Sequence, residues 1–162
     1  MSNEIERKFL APVTGPFSEI PATPVQQGYL ARGENEEARV RRQGDEYTLA
    51  VKKGRGIKRQ EFEIAIGAQE FAVLWPATEG ARVSKSRRAL PLHDGAIAYV
   101  DVFEGHLAPL ATVEVEFGSE EEAWAFEPPE WFGPEVTGDD RYANANLSSS
   151  GAPPAPSPTG QR

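Results

Sequence analysis

Glu4-Ile5-Glu6-Arg7-Lys8-Phe9 puts charges at positions 4, 6 and 8 and apolar side chains at 5 and 9. Side chains of a strand alternate between two faces, so this stretch, read as a strand, gathers Glu4, Glu6 and Lys8 on one surface and Ile5 and Phe9 on the other. Six further segments repeat the pattern: Arg39-Val40-Arg41, Lys52 behind Leu49 and Val51, Arg59-Gln60-Glu61-Phe62-Glu63, Lys85-Ser86-Arg87, Asp101-Val102-Phe103 and Glu114-Val115-Glu116. Set side by side, such strands build a sheet with one ionic face carrying both signs and one apolar face.

A sheet of this kind can expose its charged face to water and bury the other. Two features speak for a different arrangement. The apolar face (Ile5, Phe9, Val40, Leu49, Val51, Phe62, Ile64, Ile66, Val100, Val102, Val113, Val115, Phe117) needs helical cover, and the chain offers two or three short helices. The charged face collects like charges, Glu-x-Glu three times and Arg-x-Arg or Lys-x-Arg twice, which repel one another and gain nothing on an open surface. Closing the sheet with its ionic face inward relieves that repulsion, through metal cations on the carboxylate side and an anion on the basic side. The expected fold is therefore α+β: an antiparallel barrel, charged within, whose apolar outer face is covered by short helices.

The 162 residues suffice for one domain with a sizeable core, and 26% charged and 39% hydrophobic residues describe an ordinary globular chain. A formal net charge of −8 argues against a general nucleic-acid surface, which relies on a basic face. With no cysteine, disulfides, thiolate metal sites and a cysteine nucleophile are excluded, and only His93 and His106 are available as imidazole ligands. A metal would be held by oxygen, which favours Mg²⁺ or Mn²⁺, with Ca²⁺ as a structural alternative. The sequence opens directly into a charged strand and holds no apolar run of membrane-spanning length, so the expected location is cytoplasmic.

Along the chain, the proline-rich stretch from Pro12 to Pro24 excludes a long helix, and strands are expected at 25–30, 37–42, 46–52 and 58–66. Phe71, Leu74 and Trp75 share one helical stripe over 69–77, suited to covering the sheet. A hairpin about Asp94-Gly95 joins strands 81–90 and 96–103, and 111–117 is the last strong strand. Ser119 with Glu122 forms a capping box for a helix over 120–126, and Thr137 with Asp139 and Asp140 is placed to cap another through Leu147. Residues 1–147 are therefore expected to form the folded domain and 148–162, rich in Ser, Pro, Gly and Ala, a disordered tail.

The charged strands come with further motifs in a fixed order: Gln27-Gly28-Tyr29-Leu30 after the first, Glu135-Val136-Thr137 and Asp140-Arg141-Tyr142 near the end. In this combination the chain resembles the CYTH superfamily, the triphosphate tunnel metalloenzymes, and most of all its small bacterial inorganic triphosphatase-like members. The resemblance spans Asn3 to Leu147. It implies an eight-stranded antiparallel tunnel that binds a linear triphosphate and a divalent metal, in agreement with the barrel argued from alternation. Two features depart from the family's pattern: Arg88, where many relatives carry an aromatic residue, and the tail from Ser148.

Lys8, Arg39, Arg41, Lys52, Lys85 and Arg87, with Arg59 as a seventh, match a triphosphate of about −5. The arginine forks suit bidentate capture of phosphate oxygens, and the lysines serve as point charges. Glu4, Glu6, Asp101, Glu114 and Glu116 are the candidate Mg²⁺ or Mn²⁺ ligands, with Glu61 and Glu63 as additional ones. The resemblance gives Tyr29 a role beside Lys8, and Glu63 is a candidate for activating the water. The activity read from this set is hydrolysis of inorganic triphosphate to pyrophosphate and orthophosphate. The alternatives are an adenylate cyclase, a thiamine or nucleoside triphosphatase, and a polyphosphate or nucleotide sensor that does not turn over. A homodimer is left open.

Overall fold

The computed structural model describes residues 2–154. Eight strands form its frame: β1 (Ser2–Leu10), β2 (Thr23–Arg32), β3 (Glu36–Gln43), β4 (Glu46–Lys53), β5 (Lys58–Ala65), β6 (Arg82–Pro91), β7 (Ile97–Phe103) and β8 (Ala111–Glu116). They close into a barrel in the order β1-β5-β4-β3-β2-β6-β7-β8, and every neighbouring pair is antiparallel. Three short helices complete the fold: α1 (Ala68–Leu74), α2 (Glu120–Ala125) and α3 (Asn144–Ser148). Residues 155–162, the greater part of the expected tail, lie outside the described residues.

The register puts the alternating charges in line. Glu4 lies opposite Arg59, Glu6 opposite Glu116, Lys8 opposite Glu114, Arg87 opposite Asp101, Tyr29 opposite Arg39 and Lys52 opposite both Glu37 and Glu61. Directly opposed residues share a face, so one period-two choice in β1 propagates around the barrel. The other parity meets the apolar layer outside. Phe9, Val100, Val113 and Val115 pack there against Phe17 of the 11–22 crossover and against Phe126 and Phe132 beyond α2.

The main apolar core thus lies outside the barrel wall, and its cover is uneven. α1 carries Phe71, stacked on Trp75 at 5.0 Å and tilted against Tyr47 at 5.1 Å. Gly28 lets the 3₁₀ turn Trp75–Thr78 lie directly on β2, because a Cβ there would meet Thr78 at 2.5 Å. Over β5 the cover ends: Phe62 is 41% exposed and Ile64 59%. Arg88 points outward and donates to the Ile20 carbonyl of the crossover, a structural use of the residue that departs from the family pattern.

Two sequence expectations are adjusted by local hydrogen bonding. Ser119 accepts the Glu122 N–H as a capping residue should, but Glu122 reaches back to the N–H of Gly118 and not to that of Ser119. The expected helix through Leu147 is broken into a 3₁₀ turn, Asp140–Tyr142, and α3, separated by Ala143 in extended conformation. Asp139 caps the turn by accepting the Arg141 N–H. Thr137 instead accepts the Lys8 N–H, since 134–136 run alongside the end of β1. Ser148 is the last residue of α3 and is buried. No helix among the described residues is long and apolar enough to cross a membrane.

Candidate active site

A cavity of about 380 Å³ runs into the barrel. Its lining includes Glu4, Glu6, Lys8, Tyr29, Arg39, Arg41, Lys52, Arg59, Glu61, Glu63, Lys85, Arg87, Glu114 and Glu116, so fourteen of the fifteen residues singled out from the sequence meet in one place. Asp101 is the exception. It sits fully buried behind the lining, where its carboxylate takes the Lys85 ammonium at 2.8 Å and the Arg87 guanidinium at 2.7 and 2.8 Å. Both oxygens are committed to cations, so the side chain orients two basic residues and has no position among the gathered acids.

The lining is mixed in sign, and three of its acids gather at one point. Oxygens of Glu4, Glu6 and Glu116 lie within 4.8 Å of one another, a donor set suited to a hard cation. Burial, then the charges of Glu114 and Glu4, push the Glu6 carboxyl up to about 8. Burial, Glu4 and Glu114 raise Glu116 as well. Burial also works to raise Glu4, but Lys52 at 2.7 Å and Arg59 at 3.2 Å outweigh it and keep that carboxyl below its ordinary value. Carboxylates crowded in this way cannot all ionise unless positive charge arrives between them.

Among the bases, Lys8 contacts Glu114 at 3.4 Å and donates to the Tyr142 carbonyl at 3.2 Å. Burial and then Lys8 and Arg87 act in opposite directions on Glu114, and the cations win, holding it well below the usual carboxylate range. Arg41 reaches Glu63 only at 3.8 Å, and burial with the nearby charges of Arg39 and Arg87 lowers its guanidinium to about 10. Arg39 is the most exceptional. It is 6% exposed, its Nε has no hydrogen-bond partner, and among the described residues no carboxylate pairs with it within 4.0 Å. Burial works against its charge, but the Tyr29 hydroxyl with Glu37 and Glu4 outweighs it and holds the guanidinium above its ordinary value, so Arg39 stays a cation able to receive an anion.

The structure adds residues that the alternation did not reveal. A register shift in β2 between Tyr29 and Ala31 reverses the parity, so Arg32 faces the cavity opposite Glu37 instead of the outside. Glu37 itself pairs with Arg59 at 3.5 Å. The segment after β8 crosses one mouth of the barrel: Asn144 accepts from Lys85 at 3.3 Å, and Arg32 donates to the Ala145 carbonyl, Asn146 and Ser149. Only the shift in β2 had a local sequence source, the Gly28-Tyr29-Leu30-Ala31 run, and glycine near a strand's middle is a weak indicator of it.

No family model matches the chain. Two curated proteins align with nearly all of it. Both are named inorganic triphosphatase: one from Nitrosomonas europaea is 53% identical over 148 residues, covering 91% of this chain and 97% of the relative. The other, from Acetivibrio thermocellus, is 34% identical over 149 residues, covering 91% and 94%. Among solved structures, the crystal structure of an inorganic triphosphatase superposes with a TM-score of 0.68 at 51% identity, covering 93% of this chain and 97% of that one. A Hippeastrum protein, a candidate adenylyl cyclase with a dominant triphosphatase activity, shares the fold at 15% identity and a TM-score of 0.54, covering 75% and 82%. By these alignments and by its closed, antiparallel eight-stranded barrel, the chain belongs to the inorganic triphosphatase family, within the CYTH superfamily of triphosphate tunnel metalloenzymes.

Proposed function

We propose that this protein hydrolyses inorganic triphosphate to pyrophosphate and orthophosphate, with Mg²⁺ or Mn²⁺ held at the acidic side of the cavity. The observation that carries the reading is the pairing of opposites: a buried, carboxylate-free Arg39 beside Arg41, and the Glu4, Glu6 and Glu116 cluster in the same cavity. A triphosphate with its dication satisfies both at once.

The carboxylates of Glu4, Glu6 and Glu116 would hold the metal, with Glu61 and Glu63 as further candidate ligands in the same cavity. When bound, the ion would neutralise phosphate charge and lower the pKa of a coordinated water. The chain's own side chains do the rest. Arg39, Arg41 and Arg87 grip phosphate oxygens as forks, and Lys8, Lys52 and Lys85 add point charges, with Arg59 tied to Glu4 and Glu37. Asp101 fixes the directions of Lys85 and Arg87 from behind. In the reaction the water oxygen bonds to the terminal phosphorus while the bridging P–O bond breaks, and pyrophosphate leaves with the electron pair. Glu63 accepts a water proton, and the basic wall stabilises the charge that develops on the leaving group. Glu63 is exposed to solvent and held only loosely by Arg41, which suits a group that must exchange protons with water.

Among the described residues Tyr29 is the only aromatic one in the lining, so a purine or thiazole ring finds no stacking platform there. This favours the bare triphosphate over the adenylate cyclase, thiamine triphosphatase and nucleoside triphosphatase readings. The substrate is taken to be a free small molecule in the cytoplasm, and the net charge of −8 disfavours a nucleic-acid partner. The deciding experiment compares kcat/KM for triphosphate, ATP and thiamine triphosphate with Mg²⁺ and Mn²⁺, and assays cyclic AMP formation from ATP. Triphosphate is expected to lead. A higher kcat/KM for ATP overturns the substrate assignment, and tight binding without product identifies a sensor.

A further inference from the structure

Gln27 is fully buried on the inward parity of β2, between Arg41 of β3 and Val83 of β6, and does not line the cavity itself. Its amide Nε2 donates to the phenol oxygen of Tyr29 at 3.0 Å. Among the described residues its own oxygen has no hydrogen-bond partner. A buried amide with an unmatched oxygen weakens a fold, and an apolar side chain of the same shape would serve stability better. The residue's value must therefore lie in what its N–H does to Tyr29.

That effect follows from donor and acceptor bookkeeping. The phenol oxygen accepts from Gln27, so its proton cannot be shared with that amide. Its cross-strand neighbour Arg39 has donors only. Among the described residues no side chain or carbonyl accepts the Tyr29 hydroxyl proton, and Tyr29 lines the cavity. Burial, with the charge of Glu37, pushes the phenol up to about 12, so the hydroxyl keeps its proton across the working range and acts as a hydrogen-bond donor, not a base. Resting on the reading of the cavity as a phosphate site, we infer that Gln27 is a positioning residue that turns the Tyr29 O–H into the barrel, where it donates to a phosphate oxygen of the substrate.

The test is a double-mutant cycle on triphosphate hydrolysis, with Gln27→Met, Tyr29→Phe and the double variant. Gln27→Met is expected to raise KM roughly fivefold, the worth of one net hydrogen bond, with a smaller effect on kcat. Thermal stability should stay level or rise, because the unmatched oxygen is gone. In the Tyr29→Phe background the same change should have no further effect on KM, since no hydroxyl remains to be turned. An unchanged KM in Gln27→Met, or an equal loss in both backgrounds, overturns the inference and leaves Gln27 as packing. If Gln27→Met does not fold, Gln27→Leu, which also removes the amide donor without adding charge, carries the same cycle and is read by the same KM comparison. Failure of the wild-type protein to hydrolyse triphosphate would instead refute the phosphate reading itself, so the two failures are told apart.

Discussion

Glu6→Gln should make the metal-free protein more stable and at the same time weaken its hold on metal. In the chelated protein the Glu6 carboxyl sits at about 8, against an ordinary value of 4.5, because burial and the charges of Glu114 and Glu4 disfavour its ionised form. The folded state then holds a proton that the unfolded chain has released at every pH between those values. Stability from this group is complete below about pH 4.5 and is lost as the pH rises through 8, at about 1.4 kcal/mol per pH unit in between. At pH 7 the accumulated penalty is about 3 kcal/mol, which for a chain of this size corresponds to roughly 6–12 °C in Tm. Glutamine cannot ionise, so the variant escapes the penalty.

The assay is a thermal melt of both proteins from about pH 4.5 to 8 in EDTA, repeated with excess Mg²⁺ or Mn²⁺. The chelated variant should match wild type near the acidic end and lead it by several degrees at about pH 7. With metal the order should reverse: wild type gains stability as carboxylates are neutralised, and the variant gains much less. Equal Tm values at neutral pH in EDTA would refute the argument that Glu6 is strained by its neighbours. An equal metal-induced gain in both proteins would refute its place in the cation site.

Three further outcomes follow from the geometry. Arg39→Met removes a buried guanidinium that no carboxylate among the described residues holds within 4.0 Å, so kcat/KM for triphosphate should drop at least a hundredfold; turnover retained in this variant would remove the anion-binding argument. Asp101→Asn strands the buried Lys85 and Arg87 ammonium and guanidinium groups and should cost about 3–5 kcal/mol in denaturant unfolding. Lys85 is already lowered to about 8, by burial above all, and Asp101 is what opposes that fall, so phosphate affinity in this variant should also decline between about pH 6 and 8. Gly28→Ala should destabilise by roughly 1–3 kcal/mol, because the new methyl meets Thr78, which is pinned by hydrogen bonds to the Trp75 carbonyl and from Arg82.

The barrel and most of its lining were legible from alternation, because a period of two assigns a whole strand to its faces once any one residue is assigned. Glu4, Glu6 and Lys8 point inward together for the same reason that Ile5 and Phe9 point out, and no long-range information is needed to say so. What spacing along one strand leaves undetermined is who faces whom across strands. That Glu6 stands opposite Glu116, making a cation site with Glu4, depends on the β1–β8 register. That Asp101 is spent on Lys85 and Arg87 depends on the register of β6 with β7. Arg32 was missed because a single shift in β2 exchanges the two faces beyond it, and Asn144 because its segment reaches the mouth only through tertiary packing of Leu147 against Val83, Phe103 and Leu107. Local covalent periodicity therefore decided which side chains enter the barrel, and only closure of the sheet decided which of them meet, since contact between strands is a property of registration and not of composition.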